Sequence, residues 1–263
     1  MNRETALLQL MLTPGIGSRS LAKLLARLTG AIVPVEQLLH MPPESLSAEF
    51  DFPPLAADGF HAARDEAAAL ADSLAENGIR AVTLSDPEYP AGLALRHGRL
   101  APPILFVRGD PDLLSRPMIG FAGARDCTEA GMALTREIAA ELAGEGVNIV
   151  SGYAPGIDTA AHFGAVRSGG STTAVLASGI LHFAPRADLA PFCDDRNTLI
   201  VSEFFPTMPW RSHSAMPGAS HEAPRGAAKM QAAGHRNPGA AQTRTRLAMH
   251  PADDGEQRAG AGQ

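Results

Sequence analysis

The chain has 263 residues, of which 45% are hydrophobic, and carries 22 basic against 28 acidic residues for a net charge of −6. This length provides the core of one large or two modest domains, and the negative balance excludes a globally basic nucleic-acid binder while leaving room for a local basic patch. The two cysteines are too few for a disulfide framework, and no bilayer-length apolar run or signal-peptide pattern is present, which predicts a cytoplasmic protein.

The first predicted domain, residues 1–78, is helical. The first predicted helix spans residues 4–12. The second has Ser18 as its N-cap and ends at Gly30, and the third spans residues 60–77, after a proline-rich passage. The turn at residues 14–17 resembles those of helix-hairpin-helix DNA-binding motifs. The alternative is a plain interhelical turn.

The second predicted domain, residues 79–210, alternates short apolar runs with helical segments. Strands are predicted at residues 79–84, 104–107, 118–122, 147–150, 172–176 and 198–201, and helices at 129–144, 157–167 and 187–192. Such alternation is typical of a mostly parallel sheet with helices on both faces, which is a Rossmann-like α/β domain.

The third segment, residues 211–263, differs sharply in composition. It holds 13 Ala, 7 Gly and 4 Pro, and it has no Val, Ile, Phe, Tyr or Trp. Because so little apolar surface cannot offset the entropy of ordering a chain, we predict that this segment is disordered. Its net charge is +3 from seven basic and four acidic residues, which leaves −9 on residues 1–210.

Two glycine-containing turns follow predicted strands and are typical of a phosphate site. The strand at 118–122 runs into Gly123 and Arg125, and the strand at 147–150 ends in the turn at 151–158. Both turns lie at the carboxyl ends of parallel strands, where open α/β sheets bind ligands, and glycines let the backbone approach a phosphate. The N–H groups and dipole of the following helix favour an anion, and the Arg125 guanidinium matches phosphate oxygens. The alternative is that the glycines serve packing alone.

The side chains near these turns favour ligand binding over catalysis. Asp158 is either a turn residue or a general base, and His162, four residues later on the same helix face, is either structural or catalytic. Ser151 lacks the elbow motif of a nucleophilic serine. The chain has no dinucleotide-binding fingerprint, no P-loop and no metal-ligand spacing in its folded part, so we predict no catalytic residue, cofactor or metal.

Taken in order, the motifs resemble the DNA-processing protein A family, also called DprA or Smf. The resemblance covers residues 5–206. It rests on Gly123-Ala124-Arg125 with Thr128 and Gly131, and on the long motif at 151–162, close to the family's Ser-Gly-x-Ala-x-Gly-Ile-Asp-x-x-Ala-His. Further matches are Gly169-Gly170-Ser171-Thr172 and Ser202-Glu203. The long motif is the specific part, since glycine turns alone are common.

The resemblance implies an α/β fold: a Rossmann-like, mostly parallel sheet preceded by a small helical domain of the sterile-alpha-motif or helix-hairpin-helix type. The composition adds a disordered C-terminal tail to this fold. The resemblance also implies a non-enzymatic protein that binds single-stranded DNA and loads the RecA recombinase during natural transformation, with a homodimer as an option and no membrane. The implied DNA or phosphate contacts are Gly123, Arg125, Thr128, Gly131, Ser151, Gly152, Gly156, Asp158, Gly169 and Gly170. The alternatives are a nucleotide enzyme of the lysine-decarboxylase-like phosphoribohydrolase type, whose Pro-Gly-Gly motif this chain lacks, and a non-functional remnant.

The sequence departs from the family after Pro206. Family members continue with an Arg-Asn-Arg segment, a strand and a helix, whereas this chain changes to Ala, Gly, Arg and His. Such a change is what a frameshift in a GC-rich gene would produce, and our hypothesis is that residues from about Pro217 are out of frame. A sheet without those elements exposes apolar surface, so we expect low stability and aggregation. The family's Tyr-Pro step is also altered, to Phe183-Ala184-Pro185.

Overall fold

The computed structural model describes residues 2–52 and 54–209. Its helices are α1 (Arg3–Leu12), α2 (Ser18–Gly30), α3 (Pro43–Phe50), α4 (Pro54–Ala62), α5 (Arg64–Glu76), α6 (Ala91–His97), α7 (Glu129–Gly144) and α8 (Ile157–Arg167). Its strands are β1 (Ile79–Thr83), β2 (Ile104–Arg108), β3 (Met118–Gly120), β4 (Asn148–Ser151), β5 (Thr172–Val175) and β6 (Thr198–Ser202). None of the helices in this part of the chain is long and apolar enough to cross a membrane. The predictions for residues 211–263, including the frameshift from about Pro217, lie outside the described residues.

The six strands form one sheet in the order β1-β2-β6-β5-β4-β3. Strands β3 to β6 run parallel, and β2 pairs antiparallel with both β6 and β1. The α/β class with a mostly parallel sheet is therefore confirmed. Because β3, β4 and β5 point the same way, the turns after β3 and β4 emerge at one edge, as the sequence predicted.

The helical segment, residues 1–78, packs on one face of this sheet. In α2, Leu21, Leu24, Leu25 and Leu28 share one side of the helix and are all buried. They belong to a continuous hydrophobic cluster that also contains Phe106 of β2, Ala174 of β5 and Ile200 of β6. Burial against the sheet, rather than helix propensity alone, therefore holds these short helices in place. The domain boundary at residue 78 stays a prediction.

Several predicted elements differ in the structure. The helix predicted at 187–192 is a 3₁₀ turn at Ala190–Phe192, with Pro191 in its first turn. The single helix predicted at 60–77 is split into α4 and α5, and α3 begins at Pro43 inside the proline-rich passage. Proline suits a first helical position because its missing N–H would have no partner there. The N-cap of α2 is Gly17, with no side-chain cap, so the prediction that Ser18 caps this helix is wrong.

The two edges of the sheet differ in how they are covered. At β1, the Arg3 guanidinium donates hydrogen bonds to the carbonyl oxygen of Ala81 at 3.1 Å and to Thr83 Oγ1 at 3.2 Å. At the opposite edge, all three residues of β3 are partly exposed, and the adjoining helix α7 exposes Leu134 by 57% and Ile138 by 41%. β3 pairs with β4 on one side only, and an edge strand with exposed apolar side chains nearby is a typical site of chain association.

Replacing Leu134 with lysine is expected to weaken self-association about tenfold, because one leucine side chain is removed from an apolar contact. Sedimentation velocity over a concentration series measures the effect. Leu95→Lys is the matched control, since Leu95 is 85% exposed on α6, away from the open edge. Equal association constants for both variants and the unmodified protein would show that the β3 edge does not mediate self-association.

Candidate functional site

A crevice of about 410 Å³ lies at the carboxyl ends of β4 and β5. Arg125 and Gly152, from the two predicted turns, both line it. The other lining residues come from the turn after β4, from the end of β5 and from the loop beyond it: Tyr153, Ala154, Pro155, Leu176, Ala177, Ser178, His182, Phe183 and Ala184. The crevice thus lies where open α/β sheets bind ligands, with an exposed arginine on its wall.

The two glycine turns pack closely against each other. Gly156 has a φ of +84°, and a Cβ on it would lie 2.3 Å from the carbonyl oxygen of Ala124. A Cβ on Gly123 would lie 2.6 Å from the side chain of Ile157, whose own N–H donates to the Ala124 carbonyl at 3.3 Å. The close packing that the sequence left as an alternative therefore accounts for these two glycines. It also fixes the backbone next to Arg125.

The carboxylate of Asp158 occupies the position at the start of α8 where the sequence predicted a bound phosphate. Its Oδ2 accepts from the N–H of Gly152 at 3.2 Å and of Ala154 at 3.4 Å, and the residue is 8% exposed. The N–H of Thr159 donates to the Ala154 carbonyl. The N–H groups of Gly152, Ala154, Ile157 and Thr159 are thus occupied within the chain. Attraction of an external anion therefore rests on Arg125 more than on the N-terminus of α8.

His162 is a core side chain with a defined tautomer. It is 1% exposed, and its Nδ1 lies 2.6 Å from the hydroxyl oxygen of Thr172. Because the single hydroxyl proton of Thr172 is donated to the carbonyl of Ile149, at 2.8 Å, the Thr172 oxygen accepts from the Nδ1–H of His162. Burial lowers the pKa of His162 to about 4, so the ring is neutral at pH 7. This geometry favours the structural interpretation.

Three more predicted contacts have roles inside the chain. Ser151 is fully buried, and its Oγ donates to the Phe121 carbonyl at 2.8 Å, which ties β4 to the loop after β3. Thr128 is the N-cap of α7 and accepts from the N–H of Gly131 at 3.1 Å. The Ser151 hydroxyl is therefore turned away from solvent, whereas Thr128 and Gly131 lie at the exposed start of a helix.

Gly169 and Gly170 are not brought to the crevice. They follow the C-terminus of α8 and precede β5, so they lie at the amino ends of the strands. Gly169 has a φ of +80° beyond the end of α8. A Cβ on Gly170 would lie 2.5 Å from the Cβ of Ala143 in α7. Helix termination and packing account for this pair.

Tyr153 and Arg186 were missed by sequence reasoning. Tyr153 has a φ of +62°, its ring centroid lies 5.0 Å from that of Phe183, and its Oη accepts from the backbone N–H of Arg186 at 2.9 Å. Burial raises the pKa of Tyr153. The hydrogen bond ties the loop after β5 to the turn after β4 and brings Arg186 close to the glycine turns. Because Tyr153 stands between Gly152 and Ala154 in the sequence, its place beside the crevice could have been predicted. No sequence signal placed Arg186 there.

Comparison with known proteins identifies relatives for this arrangement. A family model described as DNA recombination-mediator protein A matches residues 80–217, just over half of the chain. The DNA processing protein DprA of Streptococcus pneumoniae is 40% identical over 108 residues, and that of Bacillus subtilis is 34% identical over 145 residues. These matches confirm the resemblance found in the motifs.

The matched regions cover only part of this chain and only part of each relative. They cover 40% of this chain and 38% of the Streptococcus pneumoniae protein, and 54% of this chain and 48% of the Bacillus subtilis protein. The chain therefore matches less than half the length of these curated relatives. The X-ray structure of DprA from Streptococcus pneumoniae superposes with a TM-score of 0.57 at 25% identity, over 76% of this chain and 67% of that one.

Proposed function

The chain belongs to the DNA recombination-mediator protein A family, and from that premise we propose that it binds single-stranded DNA in the crevice beside Arg125. The observation that carries the proposal is the placement of Arg125 on the wall of a crevice formed by the two glycine turns. Arg125 is an exposed residue, and the contact between the two turns fixes its backbone. A phosphate group entering the crevice would pair with this side chain.

The same geometry favours binding over catalysis. Asp158 is held by two backbone amides, His162 by Thr172, and Ser151 by a carbonyl group. None of these three side chains contacts another of them as a nucleophile contacts its base. We therefore propose a non-enzymatic role, with no cofactor and no metal, for the crevice.

The charge of the chain sets the character of this binding. Residues 1–210 carry −9, so a DNA phosphate is attracted only locally and repelled at longer range. Affinity should therefore be modest and should fall steeply with salt. By the family resemblance, we also propose that the bound strand is passed to the RecA recombinase during natural transformation. Faster assembly of RecA filaments on DNA in the presence of this protein would support that step.

Arg125→Ala is expected to weaken binding of a fluorescent single-stranded oligonucleotide roughly tenfold and to reduce the salt slope by about one, because one charged contact to a phosphate is lost. Fluorescence anisotropy over a salt series measures both quantities. Arg116→Ala is the matched control, since Arg116 is exposed and lies just before β3, at the amino ends of the parallel strands and away from the crevice. Equal affinities of Arg125→Ala and the control, or no binding by folded unmodified protein at low salt, would overturn the proposed function.

A further inference from the structure

Two arginines and two phenylalanines form a cluster on the outer side of α8, which we call the Arg–Phe surface: Arg136, Phe163, Arg167 and Phe192. The Arg167 guanidinium carbon lies 5.3 Å from the ring centroid of Phe163 and 5.4 Å from that of Phe192. Arg136 approaches Phe163 at 5.9 Å, and the two rings meet edge to face at 6.0 Å. Cation–π contacts at these distances preorganise both the charges and the rings.

The Arg–Phe surface retains exposed aromatic area and positive charge. Phe192 is 39% exposed although it is a large apolar side chain, and Arg167 is exposed as well. Among the described residues, no carboxylate forms an ion pair with Arg167, whereas Arg136 pairs with Glu129 at 2.9 Å. An exposed ring beside an uncompensated guanidinium fits a ligand with flat faces and negative charges.

A second crevice connects this surface to the glycine turns. It has a volume of about 240 Å³ and is lined at one end by Pro155 and Gly156 and at the other by Arg136 and Phe163. Arg186 also lines it, paired with Asp188 at 3.2 Å. Pro155 lines the first crevice as well, so the turn after β4 is the wall between the two. A ligand lying over Pro155 would reach both crevices and then the rings.

We propose that the Arg–Phe surface is the continuation of the DNA site, on which bases of a single strand stack against Phe192 and Phe163 while phosphates pair with Arg167 and Arg136. The inference rests on the proposed function, since it assumes that the strand is held at Arg125. Single-stranded nucleic acid is the ligand that needs both features, because its bases are unstacked and its charge recurs at every nucleotide. A duplex offers no free base faces.

Oligonucleotide length separates the two parts of the site. A dinucleotide, pTpT, is short enough to occupy the crevice beside Arg125 alone, because Phe163 lies seven residues along α8 from Gly156, roughly 10 Å. A fifteen-nucleotide oligothymidylate crosses both surfaces, within the range of roughly 4–16 nucleotides seen for single-strand sites. Phe192→Ala is expected to weaken binding of the long oligonucleotide about tenfold with an unchanged salt slope, because stacking is lost but no phosphate contact. Arg167→Ala should reduce the slope by about one. Both variants should bind the short oligonucleotide like the unmodified protein.

The chain offers a matched control for these substitutions. Arg27 lies 5.9 Å from the ring centroid of Phe50 in the helical segment and pairs with Asp51 at 2.6 Å. Arg27→Ala therefore removes a similar cation–π contact elsewhere, together with one ion pair. Circular dichroism melting shows whether each variant is folded. An oligonucleotide carrying 5-iodouracil provides an independent readout, since irradiation should crosslink it to Phe192 or Phe163.

The outcomes distinguish this inference from the proposed function. If Arg125→Ala weakens both oligonucleotides while Phe192→Ala and Arg167→Ala bind the long one like Arg27→Ala does, the Arg–Phe surface lies outside the DNA path and the inference fails alone. If Arg125→Ala is without effect but the Arg–Phe variants weaken the long oligonucleotide, the proposed crevice fails and the Arg–Phe surface stands as the DNA contact. If folded unmodified protein binds neither oligonucleotide, both fail.

Discussion

Replacing Gly156 with alanine is expected to lower the free energy of unfolding by about 3 kcal/mol. The two causes are a backbone conformation that is almost exclusive to glycine, with φ +84° and ψ −129°, and overpacking, each a cost of roughly 1–3 kcal/mol. The added Cβ would lie 2.3 Å from the Ala124 carbonyl oxygen and 2.6 Å from that of Arg125. Relief of the clash requires the two turns to separate, which also moves Arg125. We therefore expect weaker DNA binding in addition to a lower urea midpoint.

Gly169→Ala separates the two causes. Gly169 also has a positive φ, +80°, but a Cβ on it would meet nothing within 4 Å. Only the conformational penalty applies there, so a loss of about 1 kcal/mol is expected, with unchanged DNA binding. Similar losses of stability in the two variants would show that the interlocked turns are not tightly packed and that backbone conformation alone explains both glycines.

Local signals were sufficient to predict the helices that frame the site. Both α7 and α8 have the predicted bounds, 129–144 and 157–167. In α7 the Thr128 side chain caps the first turn, and α8 begins directly after Gly156 and ends before Gly169. Capping residues and glycines act within a few residues of the chain, so one sequence contains the whole cause of these boundaries.

The contacts between the two turns could not be predicted in this way. That Gly156 lies against Ala124 depends on the distance between β3 and β4, which pairing fixes and sequence spacing does not. The same holds for Asp158, whose carboxylate satisfies amides that the sequence left open for a phosphate. A motif thus predicted where the turns lie, but not which of their hydrogen-bonding groups are already occupied.

The Arg–Phe surface shows the same division between local and tertiary signals. Phe163 and Arg167 are four residues apart on α8, a spacing that predicts contact on a helix surface. Arg136 and Phe192 come from α7 and from the 3₁₀ turn after β5, so only the fold brings them to this pair. The whole of that turn lies within the helix predicted at 187–192, which would have placed Phe192 differently.

Acidification from pH 6.5 to 4 is expected to remove about 3 kcal/mol of stability through His162, at 1.36 kcal/mol per pKa unit. Burial lowers the pKa of His162 to about 4 from an ordinary value of 6.5. Between these values the unfolded chain binds a proton at this ring and the folded chain does not, so the free energy of unfolding falls as the pH falls. Above pH 6.5 the ring is neutral in both states and contributes no pH dependence.

Urea unfolding of the unmodified protein and of His162→Asn at several pH values between 7.5 and 4.5 measures this effect, because asparagine keeps an N–H donor for Thr172 but does not titrate. The variant loses packing at every pH, yet its free energy of unfolding should fall less on acidification, so the difference between the two proteins narrows. His182→Asn is the control, since His182 is exposed and its Nε2 bonds to the Thr207 carbonyl. Parallel pH profiles for the unmodified protein and His162→Asn would contradict the expectation, because a ring that protonates freely in the folded state is not sealed between Tyr153 and Thr172.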